Sequence, residues 1–324
     1  MLHRRHVLRL TAAALVAPGL PRIARAQGFP KRTLRLIVPF AAGGSTDAVA
    51  RIVANRLSEV WGHQMVVENR GGGASNIGHH EVVRSEPDGH TVLIASLPLA
   101  VNRFLFPALN YDPVGDLAPV TLICTYPNVM TVPNASPAKT VQEFIDHAKA
   151  SKLTFASSGN GTSVHLSGEL FKRMAGVEMT HVPYRGAGPA LNDLIPGRVD
   201  VMFNTIGSAV PLVRSGQLRA LAVTSAERFF SVPDMPTIAE MGMRGFEVSS
   251  WFAFFVAAKT PRPLIDKLQA DTAAVLAEPA IKDRIQHLGI KVQSSTPEQL
   301  AAHLKAEMDK WEPVIKAAGI TVRE

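Results

Sequence analysis

Two short stretches of small and hydroxyl-bearing residues hold the chemistry open to this sequence: Phe40-Ala41-Ala42-Gly43-Gly44-Ser45-Thr46-Asp47 and Ser157-Ser158-Gly159-Asn160-Gly161-Thr162. Each follows an apolar run and precedes apolar residues at helical spacing, so each reads as a strand, a glycine turn and a helix start. A chain entering a helix in this way leaves backbone N–H groups unpaired and aimed at one spot, where the helix dipole adds about half a positive charge. At an exposed site that field is worth about 0.3–1 kcal/mol to an anion, and a carboxylate can be held there with no side chain at all. The first stretch reads as half of a carboxylate clamp and the second as its counterpart. Glycines that serve only a tight packing turn are the competing reading, and the repetition argues for anion binding. Asp47 can equally cap its helix or touch a ligand.

Other chemistries find less support. His165 stands near Ser158 and Ser163 and could act as a base, which would make the chain an exported serine-dependent hydrolase. No G-x-S-x-G elbow accompanies it, so a histidine bonding a loop carbonyl is the preferred reading. His79 and His80 are adjacent and point apart on a helix, and neither H-E-x-x-H nor C-x-x-C occurs, so no metal is expected. No Gly-Lys-Ser/Thr follows Gly159–Gly161 or Gly71–Gly73, so no nucleotide and no other cofactor is expected. The single cysteine, Cys124, excludes an intramolecular disulfide and reads as a small buried hydrophobe.

The start of the chain is set apart by composition. Basic Met1–Arg9, an apolar run Leu10–Leu20 and Ala24-Arg25-Ala26 form an export signal ending at residue 26. The apolar run is too short to span a bilayer. Arg4-Arg5 resembles a twin-arginine motif with histidine where Ser or Thr is usual; an ordinary secretory signal is the alternative. Five arginines lie in this leader, so its removal leaves 29 Lys and Arg against 27 Asp and Glu and lowers the net charge from +7 to +2. The basic balance belongs to the leader, and a nucleic-acid partner loses its support. The remaining 298 of the 324 residues suffice for two domains with cores of their own.

The elements that position the two turns form a repeating α/β pattern. Strands are expected at Leu34–Val38, Gln64–Glu68, Thr91–Ala95, Leu153–Ser157, Thr180–Tyr184, Val199–Phe203 and Leu218–Thr224. Helices are expected behind both turns and at Ile77–Arg84, Val141–Ala150, Ala190–Ile195, Ser208–Arg214, Pro261–Ala277, Ala280–Leu288 and Pro297–Ala317. Leu97–Pro137, with seven prolines, reads as irregular apart from β-rich runs at Leu117–Thr125 and Asn128–Val132. Ligands of doubly wound sheets sit off the carboxyl ends of strands, where Gly43-Gly44, the Gly71 loop and Ser96 fall. Two crossings, near 124–132 and 246–256, would give the two-lobed, hinged plan of solute-binding proteins. Lobe 1 would be 27–127 with 251–324, and lobe 2 would be 128–250.

Leu36-Ile37-Val38-Pro39-Phe40 running on to Asp47 resembles the signature of the Bug-type (TctC-like) receptors of tripartite tricarboxylate transporters. Val67-Glu68-Asn69-Arg70, Asn76-Ile77-Gly78 and Pro87–Thr91 resemble it too, as do His165-Leu166, Val182-Pro183-Tyr184, Gly186–Pro189, Val199–Phe203 and Leu218–Thr224. These motifs span the mature chain in order. The resemblance implies a periplasmic protein that holds a small carboxylate between its lobes, through Phe40–Asp47 and Ser157–Thr162. Asn76, Ser96, Tyr184, Arg185, Gly186, Ala187 and Asn204 would then select the rest of the ligand. The family often has aspartate where this chain has Asn204, which points away from amine-bearing ligands. Three glycines at Gly71–Gly73 exceed its commoner pattern. The implied partners are the transporter's membrane subunits, with signalling to a membrane histidine kinase as the alternative; a monomer that is not an enzyme is expected.

Overall fold

The computed structural model describes residues 28–319, so the expected export signal lies outside them. The first half of the fold runs β1 (Leu34–Val38), α1 (Ser45–Trp61), β2 (Met65–Asn69), α2 (Asn76–Val83), β3 (Thr91–Ala95) and α3 (Pro98–Leu105). A long strand β4 (Leu117–Pro133) and helix α4 (Val141–Ala150) then lead to a second copy of the same order. It comprises β5 (Leu153–Ser157), α5 (Ser163–Ala175), β6 (Met179–Pro183), α6 (Ala187–Leu194), β7 (Val201–Thr205) and α7 (Ile206–Arg214). Strands β8 (Leu218–Val223) and β9 (Ser249–Ala257) follow, and α8 (Arg262–Ala277), α9 (Pro279–His287), β10 (Lys291–Val292) and α10 (Pro297–Ala318) close the fold.

Strand order explains the two lobes. The hydrogen-bonded path is β2-β1-β3-β9-β4-β7-β5-β6, with β8 and β10 also pairing β4. In one half β1 is parallel to β2 and β3; in the other β5 is parallel to β6 and β7. β4 belongs to both halves: Leu117–Pro127 pair with β9, and from Asn128 onward the strand pairs with β7 and β8. The chain returns at Val248–Ser249, where Val248 N still bonds Thr224 O and Ser249 already pairs with Pro127. Pro127, which cannot donate a ladder bond, sits where β4 changes partners.

Burial follows the sequence pattern. Leu34, Leu36, Ile37, Val38, Val92, Leu93 and Ile94 are fully buried, as parallel strands covered on both faces require. Helices start where capping chemistry allows. Thr140 Oγ1 accepts from Glu143 N at 3.1 Å while Glu143 reaches back to Lys139 N at 2.7 Å, opening α4. Cys124 is fully buried in β4, where desolvation pushes its thiol well up.

Three expectations are corrected. Leu97–Pro137 is not irregular at its start, because Pro98 falls in the first turn of α3, where a missing N–H costs nothing. The two β-rich runs after Leu117 are one strand, because β9 runs alongside both. Helix α6 begins at Ala187, not Ala190, because Pro189 is tolerated within its first turn.

Candidate functional site

The turn after β1 and the turn after β5 face one another across the gap between the lobes. Four helices present their N-terminal residues to a single cavity there: Gly44, Ser45 and Thr46 from α1, Thr162 and Ser163 from α5, Ala187 from α6 and Thr205 from α7. Phe40, Ala41, Asp47, Ser96 and Ser158 complete its walls, together with Tyr126 and Ser250 from the two crossing strands. Among the described residues no lysine or arginine lines it, so positive potential there comes from backbone amides and helix ends. The free space is about 30 Å³, room for about two water-sized groups such as the two oxygens of a carboxylate. A second chamber of about 160 Å³ adjoins it and shares Phe40 and Ser158. Pro39, Gly72–Ser75, Gly159, Asn160 and Pro183–Arg185 form the rest of its lining, with Arg185 the one charged residue among them.

The lobes are in contact around these chambers. Ala41 N donates to Arg185 O at 2.9 Å, and Ser45 Oγ lies 2.7 Å from Thr205 Oγ1 and 2.8 Å from Ser208 Oγ. Ser45 N also donates to Ser208 Oγ at 3.1 Å. Glycine makes the approach possible. A Cβ on Gly71 would lie 3.2 Å from Arg185 O, one on Gly186 3.1 Å from Ala41 N, and one on Gly188 3.0 Å from Ala42 O. Gly71, the first of the three glycines that depart from the commoner pattern, is thus where the opposite lobe's backbone seats.

Asp47 lies at the third position of α1. Burial pushes its carboxyl up, but bonds from Arg51, Asn69 and the Gly43 amide outweigh this and hold it below the usual carboxylate range. The bonds are Arg51 Nε at 3.1 Å, Asn69 Nδ2 at 3.0 Å and Gly43 N at 3.3 Å. With its oxygens so occupied, Asp47 shapes the turn, and Gly44 is the residue at the helix cap.

Several other expected residues take supporting places. Ala42 and Gly43 are exposed at the closing edge, while Gly161 packs against Asn102 and Leu105 of the opposite lobe. Ser157 is fully buried behind the cavity wall, its Oγ 2.7 Å from His181 Nε2. Tyr184 turns its hydroxyl to Asp193 at 2.7 Å; burial and then that bond raise it to about 12. Asn204 is fully buried one residue before Thr205, does not line the cavity, and its side-chain amide finds no hydrogen-bond partner among the described residues.

Asn76 is a hub. Its Oδ1 accepts from Asn102 Nδ2 at 2.7 Å and from Tyr111 OH at 2.9 Å, and Tyr111 OH is 2.7 Å from His79 Nδ1. Asn102 Nδ2 also donates to Ala74 O at 2.8 Å. This network braces Ala74 and Ser75, whose φ of 50° and 77° are rare for non-glycine residues, in the wall of the second chamber. Burial lowers His79 to about 3, so the ring is neutral.

His165 does not bond a loop carbonyl, as the sequence suggested. Its Nδ1 accepts from Gly161 N at 3.2 Å. Ser163 Oγ donates instead to Asn128 Oδ1 at 3.2 Å, so the Ser163–His165 pair of a hydrolase is not assembled. Sequence reasoning missed Tyr126, Thr205, Ser208, Ser250 and Asn102. For Thr205 and Ser208 a signal existed: Asn204-Thr205-Ile206-Gly207-Ser208 is a third strand end running into a hydroxyl-bearing helix start.

Comparison with known proteins agrees with this architecture. The profile of the tripartite tricarboxylate transporter family receptor matches residues 49–320. A UPF0065 protein in the tcbD-tcbE intergenic region of Pseudomonas sp. (strain P51) is 40% identical over 315 residues, covering 96% of this chain and 94% of that one. Among solved structures, R. palustris Rpa4515 with adipate superposes with a TM-score of 0.88 at 37% identity, covering 91% of this chain and all of the other. The periplasmic binding protein BugD gives 0.88 at 33% identity over 91% of this chain and all of its own. MatC from Rhodopseudomonas palustris with bound malate gives 0.83 at 34% over 89% of this chain and all of its own.

Proposed function

This chain belongs to the receptors of the tripartite tricarboxylate transporter family, the Bug-type (TctC-like) proteins, and from that premise we propose that it captures a small carboxylic acid between its lobes and delivers it to the transporter's membrane subunits. The observation that carries the reading is the convergence of four helix N-termini on one cavity without a cation. One carboxylate of the ligand sits in that cavity, and the remainder extends past Phe40 and Ser158 into the second chamber. The relatives solved with adipate and malate support this chemistry.

Affinity follows from a few bonds. Hydrogen bonds to a charged group contribute about 1.5–3 kcal/mol each, so three or four reach the roughly −8 kcal/mol of micromolar binding. The ligand favours the closed state because donors from both lobes reach it only there. Residues 27–127 with 251–324 move as one body against 128–250, about the crossings in β4 and at the start of β9. The leader 1–26 directs export to the periplasm, where BugD-like relatives act, and cleavage follows Ala26.

The test is a thermal-shift screen of purified protein against small carboxylates, with adipate and malate included and amines and phosphates as controls. A ligand that binds only the native state raises the melting temperature by mass action. A dominant carboxylate hit is the expected result. A shift by amines or phosphates alone would overturn the reading.

A further inference from the structure

Behind the second-lobe turn lie a buried histidine, His165, and a half-buried one, His181, that line neither chamber. His165 on α5 and His181 on β6 are stacked, ring centroids 4.1 Å apart at 21°, and Phe155 on β5 covers His181 at 4.7 Å and 20°. Each ring holds one anchor of the turn. Gly161 N donates to His165 Nδ1 at 3.2 Å. Gly159 N donates to Ser157 Oγ at 3.2 Å, and the same Oγ lies 2.7 Å from His181 Nε2.

The amide contact fixes the proton of one ring. A nitrogen that accepts from an amide carries no hydrogen, so His165 Nδ1 is bare and its proton sits on Nε2. Ser157 Oγ accepts from Gly159 N and lies 2.7 Å from His181 Nε2; with a second lone pair and a hydrogen of its own it can serve either tautomer of that ring. A proton added at His165 Nδ1 would set N–H against the Gly161 N–H, and a charge on the His181 ring stacked 4.1 Å away would add repulsion between the rings.

We propose that His165 and His181 are positioning residues that hold the turn 157–162 in its ligand-binding shape only while both rings are neutral, so that acidification loosens this turn and weakens carboxylate binding. The inference rests on the carboxylate-receptor reading for its functional consequence. Among the described residues the charged groups near the pair are both on α5: Glu169, with Oε1 3.9 Å from His165 Nε2, and Lys172, whose Nζ is 3.1 Å from Glu169 and 5.8 Å from the Phe155 ring centroid. β5 presents uncharged Phe155 and Ser157. Burial first, then His181 and Lys172, hold His165 well below its ordinary value, and burial with Lys172 holds His181 at about 4. Because both are depressed in the folded turn, their stabilising contribution is complete above the ordinary histidine value of about 6.5 and declines as pH falls toward 4.

The test needs no ligand. Hydrogen exchange at Gly159 and Gly161, corrected for intrinsic rates, is compared between about pH 7.5 and about pH 5, with Gly43 and Gly44 as internal references. One histidine released to its ordinary value predicts a loss of protection of about 30-fold in the second-lobe turn. The reference glycines should change less than about twofold. An equal change in both turns, or none in either, would overturn the proposal. In the variant carrying His165→Asn and His181→Gln, which keeps acceptors that do not titrate, protection at Gly159 and Gly161 should become independent of pH; persistence of the wild-type profile there would also overturn it. Should that variant not fold, the wild-type exchange profile decides alone. A screen in which amines or phosphates alone shift the melting would sink the receptor reading and leave this measurement unaffected.

Discussion

The two turns that meet across the cleft share a plan and are held by opposite means. In the first lobe a charge does the holding: Asp47 gathers Arg51, Asn69 and the Gly43 amide, and its helix starts at a glycine with no side-chain cap. In the second lobe the holders are neutral: Thr162 caps α5 by accepting from His165 N at 3.3 Å, and the stacked histidines take the Gly161 amide and Ser157. The Asp47–Arg51 pair lies at the rim, with the arginine side chain half exposed. Screening by salt therefore reaches the first turn, whereas the second is buried and answers to protons. On this proposal the two turns have separate controls, salt for the first and protons for the second.

The comparison is broken most severely at Gly44. Gly44→Pro removes a helix-cap N–H that borders the cavity, at a φ of −93° that proline can approach. Losing a bond to a carboxylate costs about 1.5–3 kcal/mol, so calorimetric affinity for the best carboxylate of the screen should fall about 10- to 150-fold while circular dichroism still reports a folded chain. Normal affinity would remove the first turn from the site. A smaller effect is expected at the seam between the turns. Gly188→Ala places a Cβ 3.0 Å from Ala42 O of the opposite lobe, within α6 and without backbone strain. Overpacking costs about 1–3 kcal/mol, and this single contact at 3.0 Å takes the lower end, about 1–1.5 kcal/mol charged to closure alone, so affinity should drop about 5- to 10-fold. The unliganded protein should melt no earlier, because alanine favours a helix by up to about 1 kcal/mol over glycine. A lower melting temperature would mean that Gly188 serves the fold and not the closing.

The repeated strand–turn–helix units were legible because apolar periodicity and capping residues are local signals. Leu34–Val38, Thr91–Ala95, Val141–Ala150 and Leu153–Ser157 have the bounds read from sequence. The glycine turns were legible for the same reason, and Phe40, Ser45, Thr46, Ser96, Ser158 and Ala187 do line the cavity. What stayed hidden depends on long-range pairing. Tyr126 and Ser250 reach the cavity because β4 and β9 set them side by side, although they are far apart in the chain. The family resemblance implied a ligand contact at Asn76. Its carbonyl is consumed by Asn102 and Tyr111, one from a helix that seven prolines concealed and the other from the loop beyond it. Asn76→Ala would leave Tyr111 and Asn102 without their shared acceptor, which should lower stability by about 1–3 kcal/mol in chemical denaturation; a change below that range would mean the network adds little to the fold.

The smallest effect sharpens the contrast between charge and proton control. Arg51→Gln leaves Asp47 with Asn69 and Gly43 but without its cation, so uncompensated negative charge faces an anionic ligand across the cavity. A half-exposed pair is worth about 0.2–1 kcal/mol, so affinity should fall no more than about fivefold. That loss should shrink between about 20 mM and about 300 mM salt as the Debye length contracts. The variant carrying His165→Asn and His181→Gln should bind alike at both salt concentrations. Acid separates the turns from the other side. Asp47 is held below its ordinary value of about 3.9, so its contribution is complete above that pH and is lost only as pH falls through the depressed folded value. Between pH 6.5 and 4 only the histidine turn should respond, with His181 titrating near 4. If Arg51→Gln instead steepened the pH profile in that window, Asp47 would be titrating there, and the two turns would not be controlled separately.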